Sequence, residues 1–358
     1  MEKVTNETGG DVKKRTASLM KSGALFLVLV GITLFVLFRN QDWSEIVTSI
    51  SMTKKQYLLI AFFCMCLFTF GEGCNIRRGL RLFGCEAGYL RSIKYAIVGF
   101  FFSSITPSAT GGQPMQLYYM HKDCYIMAHS SLALLLELTS YQMVTILYAL
   151  VGFAVKWNFL SETIGNIKYL FAIGVLLNLA LLMLIGIAIF SKTLIYRLVQ
   201  GVLKIGKLLS LKYLPEWEEK AQGMVKEYQG SAVYIKQHKK FMLRMLVTSF
   251  IQITALHSIP FWIYHSFGLT QYGFWDVVLL QAVMFIAVSA LPLPGTVGVG
   301  ESGFLILYKT LFPGIFLKSA MLLSRGISFY LFVAVTGIIL VVISLRNRWH
   351  NNTKSDII

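Results

Sequence analysis

Charged residues are scarce in this sequence. They make up 14% of the 358 residues, whereas a soluble domain usually carries about 25%. The hydrophobic fraction is 56%, which leaves too little polar surface for a water-soluble fold. The composition therefore predicts a protein that crosses a membrane several times, with roughly 20 apolar residues for each crossing.

Acidic residues are scarcer than basic residues. There are 17 Asp and Glu against 33 Lys and Arg, which gives a formal net charge of +16. In a soluble protein this excess would favour a nucleic-acid partner. In a membrane protein it marks cytoplasmic loops and contact with anionic lipid. We therefore expect a phospholipid partner and no nucleic acid.

Cysteine is also infrequent, and its spacing excludes two kinds of site. None of the five cysteines forms the C-x₂-C pair of a zinc site or redox motif, so we expect free thiols that pack in the core. His257 and His265 lie on one helical face but have no third ligand nearby. We expect no metal, no other cofactor and no cleavable signal peptide.

Long apolar runs are abundant, and they predict an all-α polytopic protein with about six full transmembrane helices. The runs lie at 19–38, 57–71, 128–155, 168–190, 241–266 and 319–344. Basic residues cluster before the first run, after the second, across 191–244 and after the last. The positive-inside rule places these four regions, and both termini, in the cytoplasm. The prediction is a multi-pass protein of a bacterial-type cell membrane.

The same reasoning divides the chain into three parts. Cytoplasmic tails at 1–18 and 346–358 flank one integral membrane domain at 19–345. Within this domain, residues 191–240 interleave bases with Leu, Ile and Val, a pattern typical of an amphipathic helix on the cytoplasmic leaflet. A solvated helical hairpin that links two halves of the domain would explain the pattern equally well.

Two further apolar segments, 92–118 and 274–312, are broken by proline and glycine. If the flanking helices keep their orientation, the first segment must start and end on the cytoplasmic side. The second must start and end on the external side. We therefore predict two re-entrant hairpins that enter from opposite faces, as in an inverted repeat. The alternative is that one segment crosses the membrane completely.

The residues at these breaks are the strongest functional signal. Helical backbone does not run through such clusters, and broken backbone survives in lipid only inside protein or along a wet cavity. Paired breaks of this kind indicate a mid-membrane binding site; simple kinks that fill space are the alternative. The predicted site residues here are Pro107, Gly111, Gly112, Gln113, Gln116, Pro292, Pro294, Gly295 and Gly298.

Three charges inside apolar segments form a second signal. Glu137 lies within a helix whose polar face includes Tyr141, Glu301 opens the returning arm of the second hairpin, and Arg325 lies in the last helix. A charge at the bilayer centre costs at least about 2.5–3.5 kcal/mol, so it is normally paired or functional. One hypothesis pairs Arg325 with Glu137 or Glu301 at the floor of a cavity, and a purely structural ion pair is the alternative. Glu72 is placed at the cytoplasmic end of the second helix.

The chain resembles the membrane region of lysylphosphatidylglycerol synthases, the multiple peptide resistance factor family, and in particular its stand-alone flippase-like members. The resemblance rests on the run from Thr106 to Gln116, the run from Pro292 to Glu301, Arg325 ahead of Tyr330, and the acidic Glu137 after the first hairpin. It covers about 19–345. One departure is the lack of an Arg near Gln116, which many relatives carry.

This resemblance implies a lipid translocase fold. In full-length relatives a cytosolic domain transfers lysine from lysyl-tRNA to phosphatidylglycerol, and the membrane domain moves the product outward, which gives resistance to cationic antimicrobial peptides. After the last span only 347–358 remain, too short for such a transferase, so we expect no catalytic residue. A homo-oligomer or a separate lipid-modifying enzyme would be possible partners.

We therefore predict a flippase for a phospholipid such as lysyl-phosphatidylglycerol, anionic or aminoacylated. Gly111, Gly112, Gly295 and Gly298 would let backbone approach the headgroup, and Gln113 and Gln116 would donate hydrogen bonds to it. Arg325 would bind phosphate or balance Glu137. The alternatives are a phosphatidylglycerol lysyltransferase and a secondary transporter of small solutes.

Overall fold

The computed structural model describes residues 43–155, 167–190, 239–289, 291 and 293–355. Several predictions concern residues outside these ranges: the tail 1–18, the first apolar run 19–38, Pro292 and nearly all of the insert 191–240. Those predictions stay untested. Every regular element in the described ranges is helical.

Eleven helices are described, and two short 3₁₀ turns and one π turn interrupt their order. In chain order they are α1 Trp43–Ser51, α2 Lys55–Leu82, α3 Tyr89–Ile105, α4 Gly112–Lys122, α5 Met127–Val155, α6 Ile167–Phe190, α7 Lys239–Ser266, α8 Phe274–Ser289, α9 Val299–Leu307, α10 Gly314–Arg325 and α11 Leu331–Ser355. The 3₁₀ turns are Pro107–Ala109 and Pro294–Thr296, and the π turn is Gly326–Tyr330.

Five stretches of the described chain are long and apolar enough to cross a membrane. They are Lys55–Leu82, Met127–Val155, Tyr169–Ile187, Lys240–Ser266 and Gly314–Leu345. Each coincides with an apolar run of the sequence, so the all-α polytopic class is confirmed. Many large apolar side chains on these helices are exposed, including Leu176 and Ile338, as expected for surfaces in contact with lipid.

The second predicted span, 57–71, was too short. Helix α2 continues to Leu82 because its charged and polar side chains find partners inside the protein. The Arg78 guanidinium donates a hydrogen bond to Asn75 Oδ1 at 2.9 Å, and Arg77 Nε donates to the Ala87 carbonyl at 3.1 Å. The placement of Glu72 at the helix end is also wrong, since ten more helical residues follow it.

Contacts between helix ends define two opposite ends of the bundle. At the first end, where α2 finishes and α3, α5 and α7 begin, Asn75 Nδ2 donates to the Met245 carbonyl at 3.3 Å and Tyr125 OH donates to the Glu86 carbonyl at 2.8 Å. At the second end, Lys54 N donates to the Ser266 carbonyl at 2.9 Å. Helix α2 therefore runs antiparallel to α7, and these two helices pack along much of their length.

The two broken segments form helical hairpins that start from opposite ends. The first hairpin, α3 and α4, begins and finishes at the first end, where Lys94 pairs with Asp123. The second, α8 and α9, begins and finishes at the second end: the rings of Phe261 and Phe274 are 5.2 Å apart, and Phe312, just beyond α9, contacts Tyr264. Their tips, the two 3₁₀ turns, touch each other within the bundle. This geometry agrees with the predicted opposed, re-entrant arrangement.

The last span has an irregularity that the sequence did not reveal. Helices α10 and α11 follow each other directly, but the π turn Gly326–Tyr330 interrupts the α-helical hydrogen bonding between them. The predicted start at residue 319 is corrected to Gly314, and the span is one interrupted helix. Single π turns inside helices occur frequently at functional sites.

Candidate functional site

The two hairpin tips have the same backbone conformation. In each, an extended residue precedes a proline, and the two residues after that proline are left-handed. Ser108 and Ala109 have φ of 51° and 55° in the first tip. Gly295 and Thr296 have φ of 56° and 55° in the second. The repeated conformation supports an internal repeat. The amino-acid sequences of the two tips show this repeat only in part.

Holding non-glycine residues in this region costs roughly 1–2 kcal/mol each, so neighbouring groups must stabilise the tips. In the first tip, Thr106 Oγ1 accepts a hydrogen bond from Gly111 N at 2.9 Å, and Thr110 Oγ1 donates to the Pro107 carbonyl at 2.9 Å. Residues 107–110 are exposed although they lie at the inner end of a hairpin. Strained, exposed backbone at such a position is typical of a binding site.

Glycines are required where the tips and hairpin arms approach other groups closely. A Cβ atom on Gly112 would lie 2.0 Å from Ser103 Oγ and 2.8 Å from the Gly99 carbonyl oxygen on the opposite arm. One on Gly295 would lie 2.0 Å from the Phe329 ring. These contacts give both glycines a packing role. Their predicted approach to a headgroup, like that of Gly111 and Gly298, stays a prediction.

An ion pair joins the second tip to the last span. Arg325 Nε lies 2.9 Å from Glu301 Oε1, and Arg325 Nη2 donates a hydrogen bond to the Gly295 carbonyl at 2.9 Å. Of the two partners that the sequence offered to Arg325, the structure selects Glu301. The arginine thus connects the first turn of α9, the left-handed tip and the end of α10.

The Glu301 carboxylate is fully buried and has three donors. Besides Arg325, Tyr330 OH donates to Oε1 at 2.6 Å and Gly298 N donates to Oε2 at 2.6 Å, which caps α9. The π turn brings Tyr330 to this position after Arg325. Glu301, Arg325, Tyr330, Gly295 and Gly298 therefore form one cluster.

Arg325 retains donors beyond those used inside the protein. A guanidinium has five N–H groups, and its bonds to Glu301 and to the Gly295 carbonyl use two of them within the described residues. Its side chain is 15% exposed, and its Cζ atom lies 4.6 Å from the centre of the Phe329 ring. A partly exposed guanidinium whose position is fixed by other bonds is suited to bind a phosphate oxygen.

A second cluster surrounds Gln116 on α4. Gln116 Nε2 donates to Glu72 Oε1 at 2.8 Å and to the Tyr95 carbonyl at 3.1 Å. Both hydrogens of this amide are thus used inside the protein, so the predicted bond from Gln116 to a headgroup has no free donor in this conformation. Gly99 makes room for the amide, because a Cβ there would lie 2.1 Å from Gln116 Nε2.

Glu137 and Tyr141 lie with this second cluster and not with Arg325. Tyr141 contacts Phe68 on α2, with ring centres 6.5 Å apart, and Glu137 is one helical turn away. Glu137 lies on the face of α5 that packs against α2, at the level of Glu72. The predicted residues thus divide between two clusters, since Gln116, Glu137 and Tyr141 are separate from Glu301 and Arg325.

The remaining predicted residues are Gln113, half-buried in the first turn of α4, Pro107, exposed at the first tip, and Pro294, buried at the second. Sequence reasoning missed Glu72 and Gly99. Glu72 gave a usable signal, because it is an acidic residue that directly follows the apolar run 57–71. Gly99 gave none, since its role depends on a side chain that is close only in the folded chain.

An apolar groove of about 530 Å³ lies between α2, α3 and α11. Its walls include Phe63, Leu67, Ile97, Phe332 and Ile339. Phe63 is 61% exposed at its rim, so within the described residues the groove opens on the outer side of the bundle. Thr69, at one end of the groove, precedes Glu72 by three residues on α2.

No group of three or more His, Cys, Asp or Glu side chains in the described residues could hold a metal ion. In the same ranges His257 is fully enclosed, and neither ring nitrogen has a hydrogen-bond partner. The candidate functional site thus comprises the two tips, the Glu301–Arg325 cluster, the Gln116–Glu72 cluster and the lateral groove described above.

The family model described as the lysylphosphatidylglycerol synthase TM region matches residues 23–336, which include both tips and both clusters. The chain belongs to this family. The match confirms the family that the sequence motifs indicated and, with the apolar helices, a multi-pass membrane protein. A search of curated proteins finds no match to the chain.

Proposed function

We propose that this member of the lysylphosphatidylglycerol synthase membrane family moves an anionic or aminoacylated phospholipid, such as lysyl-phosphatidylglycerol, between leaflets of the cell membrane. The observation that carries the proposal is the meeting of the two opposed tips inside the bundle, beside Arg325. A headgroup bound there would be reachable from either face in turn, as alternating access requires. In a bacterium, outward movement of a lysylated lipid would lower the negative surface charge that attracts cationic antimicrobial peptides.

Two features of the tips suit a phosphate. Helices α4 and α9 both begin next to a tip; Glu301 caps α9, and the partial positive charge of the α4 N-terminus lies in the centre of the bundle. Arg325 adds a full positive charge, fixed in position by Glu301 and the Gly295 carbonyl. The phosphate would meet donors that are already oriented, so little of the binding energy is lost in arranging them.

The lateral groove suits an acyl chain. Lipid translocation needs a path on which the headgroup crosses the protein while the chains stay in the hydrocarbon. A groove lined by Phe63, Ile97 and Phe332 and open toward lipid supplies such a surface. A sealed cavity along the bundle axis would instead favour a small-solute transporter. A groove that opens sideways therefore supports the lipid proposal.

Reconstituted liposomes test this function directly. We expect purified protein to move a headgroup-labelled phosphatidylglycerol across the bilayer, and Arg325→Gln to abolish most of this movement. The matched control is Lys309→Gln, which removes an exposed base at the second end of the bundle and should retain the wild-type rate. Movement no faster than in protein-free liposomes would overturn the proposal.

Lipid extracts distinguish the translocase from an enzyme. Cells that express this chain alone should contain no new lysyl-phosphatidylglycerol, because neither cluster offers a group placed for aminoacyl transfer. Appearance of that lipid would favour a phosphatidylglycerol lysyltransferase instead.

A further inference from the structure

Helices α2 and α5 bring two acidic residues together in the middle of the bundle. The helices are antiparallel and touch at two levels: a Cβ on Gly79 would lie 2.8 Å from Ala133 Cβ, and Phe68 contacts Tyr141. Glu72 lies between Gly79 and Phe68 on α2, and Glu137 lies between Ala133 and Tyr141 on α5. All six positions are spaced by four or seven residues, so each helix presents its three on one face.

This acidic pair, Glu72 and Glu137, has no cationic partner in the described residues. Glu72 Oε1 accepts one hydrogen bond, from Gln116, and no side-chain bond of the Glu137 carboxylate is found in the described ranges. Glu137 is 8% exposed and Glu72 is half-buried. Two adjacent carboxylates away from water are strongly disfavoured when both are charged, because desolvation and mutual repulsion act together.

The charged and titratable groups on neighbouring helices are engaged elsewhere. Arg78 bonds to Asn75 and to α7, Tyr95 OH bonds to Asp123, and Tyr330 and Arg325 bond to Glu301. Tyr148 bonds to Thr254. Of the other titratable or charged groups, Tyr141 lies beside Glu137 and His257 lies further along α7. Those further from the pair on the same elements include Cys66, Cys74, Arg77 and Arg81 on α2, Tyr89 and Arg91 on α3, Tyr118, Tyr119, His121 and Lys122 on α4, His129 on α5, and Lys240, Arg244, Tyr264 and His265 on α7.

A second observation indicates that the α2–α5–α7 interface around Glu72 binds small polar molecules such as water. Gln252, on α7, is 1% exposed and packs on Gly71, next to Glu72, yet its Oε1 atom has no hydrogen-bond partner in the described residues. Thr145 Oγ1 and both ring nitrogens of His257, one to two turns further along α5 and α7, are equally unpartnered within these ranges. Buried polar atoms without protein partners commonly bind internal water.

We propose that Glu72 and Glu137 form a proton-binding site, connected through Gln252, Thr145 and His257 by internal water, and that this proton couples to lipid movement. The coupling rests on the proposed translocase function, whereas the proton site does not. One proton shared by the pair removes one charge and lets the carboxyl group donate to the neighbouring carboxylate. Release of that proton leaves two facing negative charges, which push α2 and α5 apart at the level of the groove.

Infrared difference spectroscopy tests the proton site without any transport. Purified wild type should show a protonated-carboxyl C=O band that disappears as pH rises, and Glu72→Gln and Glu137→Gln should each lose it. The control Glu86→Gln removes an exposed acid of the α2–α3 loop and should keep the band. A wild-type protein without the band, or a band unchanged in both pair variants, overturns the site.

Transport in liposomes tests the coupling. Translocation of labelled lipid by wild type and by Glu86→Gln should vary with pH over the range in which the infrared band titrates. In Glu137→Gln that pH dependence should be lost. A band that titrates while translocation is independent of pH would overturn the coupling and leave the lipid function standing. If wild type moves no lipid, the translocase and its coupling both fail, and the infrared result alone decides the proton site.

Discussion

At the scale of single residues, the two polar clusters differ in how their charges are compensated. Glu301 has an arginine, a tyrosine hydroxyl and a backbone amide within bonding distance. Glu137 has no cationic partner within the described residues, and it lies opposite Glu72 where α2 packs against α5. The first arrangement is suited to fix a structure and to leave guanidinium donors for a ligand. The second is suited to change its charge state.

Arg325→Lys should weaken the site because a lysine ammonium is a single point charge. It cannot satisfy Glu301 and the Gly295 carbonyl with the spaced donors of a guanidinium. Arg325→Gln should be more destabilising, by about 3–5 kcal/mol, since Glu301 would remain buried and charged without its partner. Thermal unfolding in detergent measures both changes.

The double variant Glu301→Gln, Arg325→Gln provides the control. Because it leaves no unpaired charge, it should recover much of the lost stability while lipid movement stays absent. A single Arg325→Gln variant as stable as wild type would contradict the proposed role of the ion pair in the fold.

Gly112→Ala should destabilise the first hairpin. Its Cβ would meet Ser103 Oγ at 2.0 Å and the Gly99 carbonyl at 2.8 Å, and overpacking of this kind typically costs about 1–3 kcal/mol. Gly186→Ala is the matched control, because it lies within α6 and a Cβ there meets nothing within 4 Å. An equal fall in unfolding temperature for the two variants would show that the arms separate more easily than the structure implies.

At the scale of elements, the two tips share a conformation although they share few residues. A proline follows an extended residue, and two left-handed residues follow the proline, once as Ser108 and Ala109 and once as Gly295 and Thr296. Different residue types at matching positions imply that the conformation, more than the side chains, is what both halves require. Each tip then begins a short helix whose N-terminus lies within the bundle.

Substitutions at the matching tip positions should act in opposite directions. Gly295→Ala adds both left-handed strain and a contact of 2.0 Å with the Phe329 ring, so the unfolding temperature should fall. Ala109→Gly removes the strain of a left-handed alanine, which costs roughly 1–2 kcal/mol, so the temperature should hold or rise. A fall of similar size in both variants would contradict the idea that the first tip is strained.

At the scale of the whole molecule, the apolar runs predicted the helices well, because a membrane span needs a continuous apolar length that sequence shows directly. The apolar runs gave wrong helix bounds where polar side chains are paired inside the protein and not exposed to lipid. Helix α2 extends past Glu72 because Gln116, Asn75 and α7 offer polar partners that a hydropathy window cannot see. Arg325 and Glu301 were predicted as site residues and as one of two possible pairs, but the π turn that brings Tyr330 to Glu301 was indicated by no residue pattern.

The opposed entry of the two hairpins makes a prediction about accessibility from the two sides of the membrane. Cys124, exposed just beyond the first hairpin, lies at the first end of the bundle, and Lys309, exposed just beyond α9, lies at the second. If basic residues mark the cytoplasmic side, as the positive-inside rule predicts, the first end faces the cytoplasm. In a variant that keeps only Cys124, a membrane-impermeant maleimide should therefore react in inverted vesicles and not in intact cells.

A cysteine-free variant carrying Lys309→Cys should show the reverse pattern, with labelling in intact cells. The reason is geometric: both arms of each hairpin return to the end from which they start, so the residues that follow the two hairpins lie on opposite faces. Labelling of both sites from the same side would mean that one hairpin segment crosses the bilayer completely. The two tips would then no longer meet as the inner ends of opposed hairpins, and access of a headgroup from both leaflets would lose its structural basis.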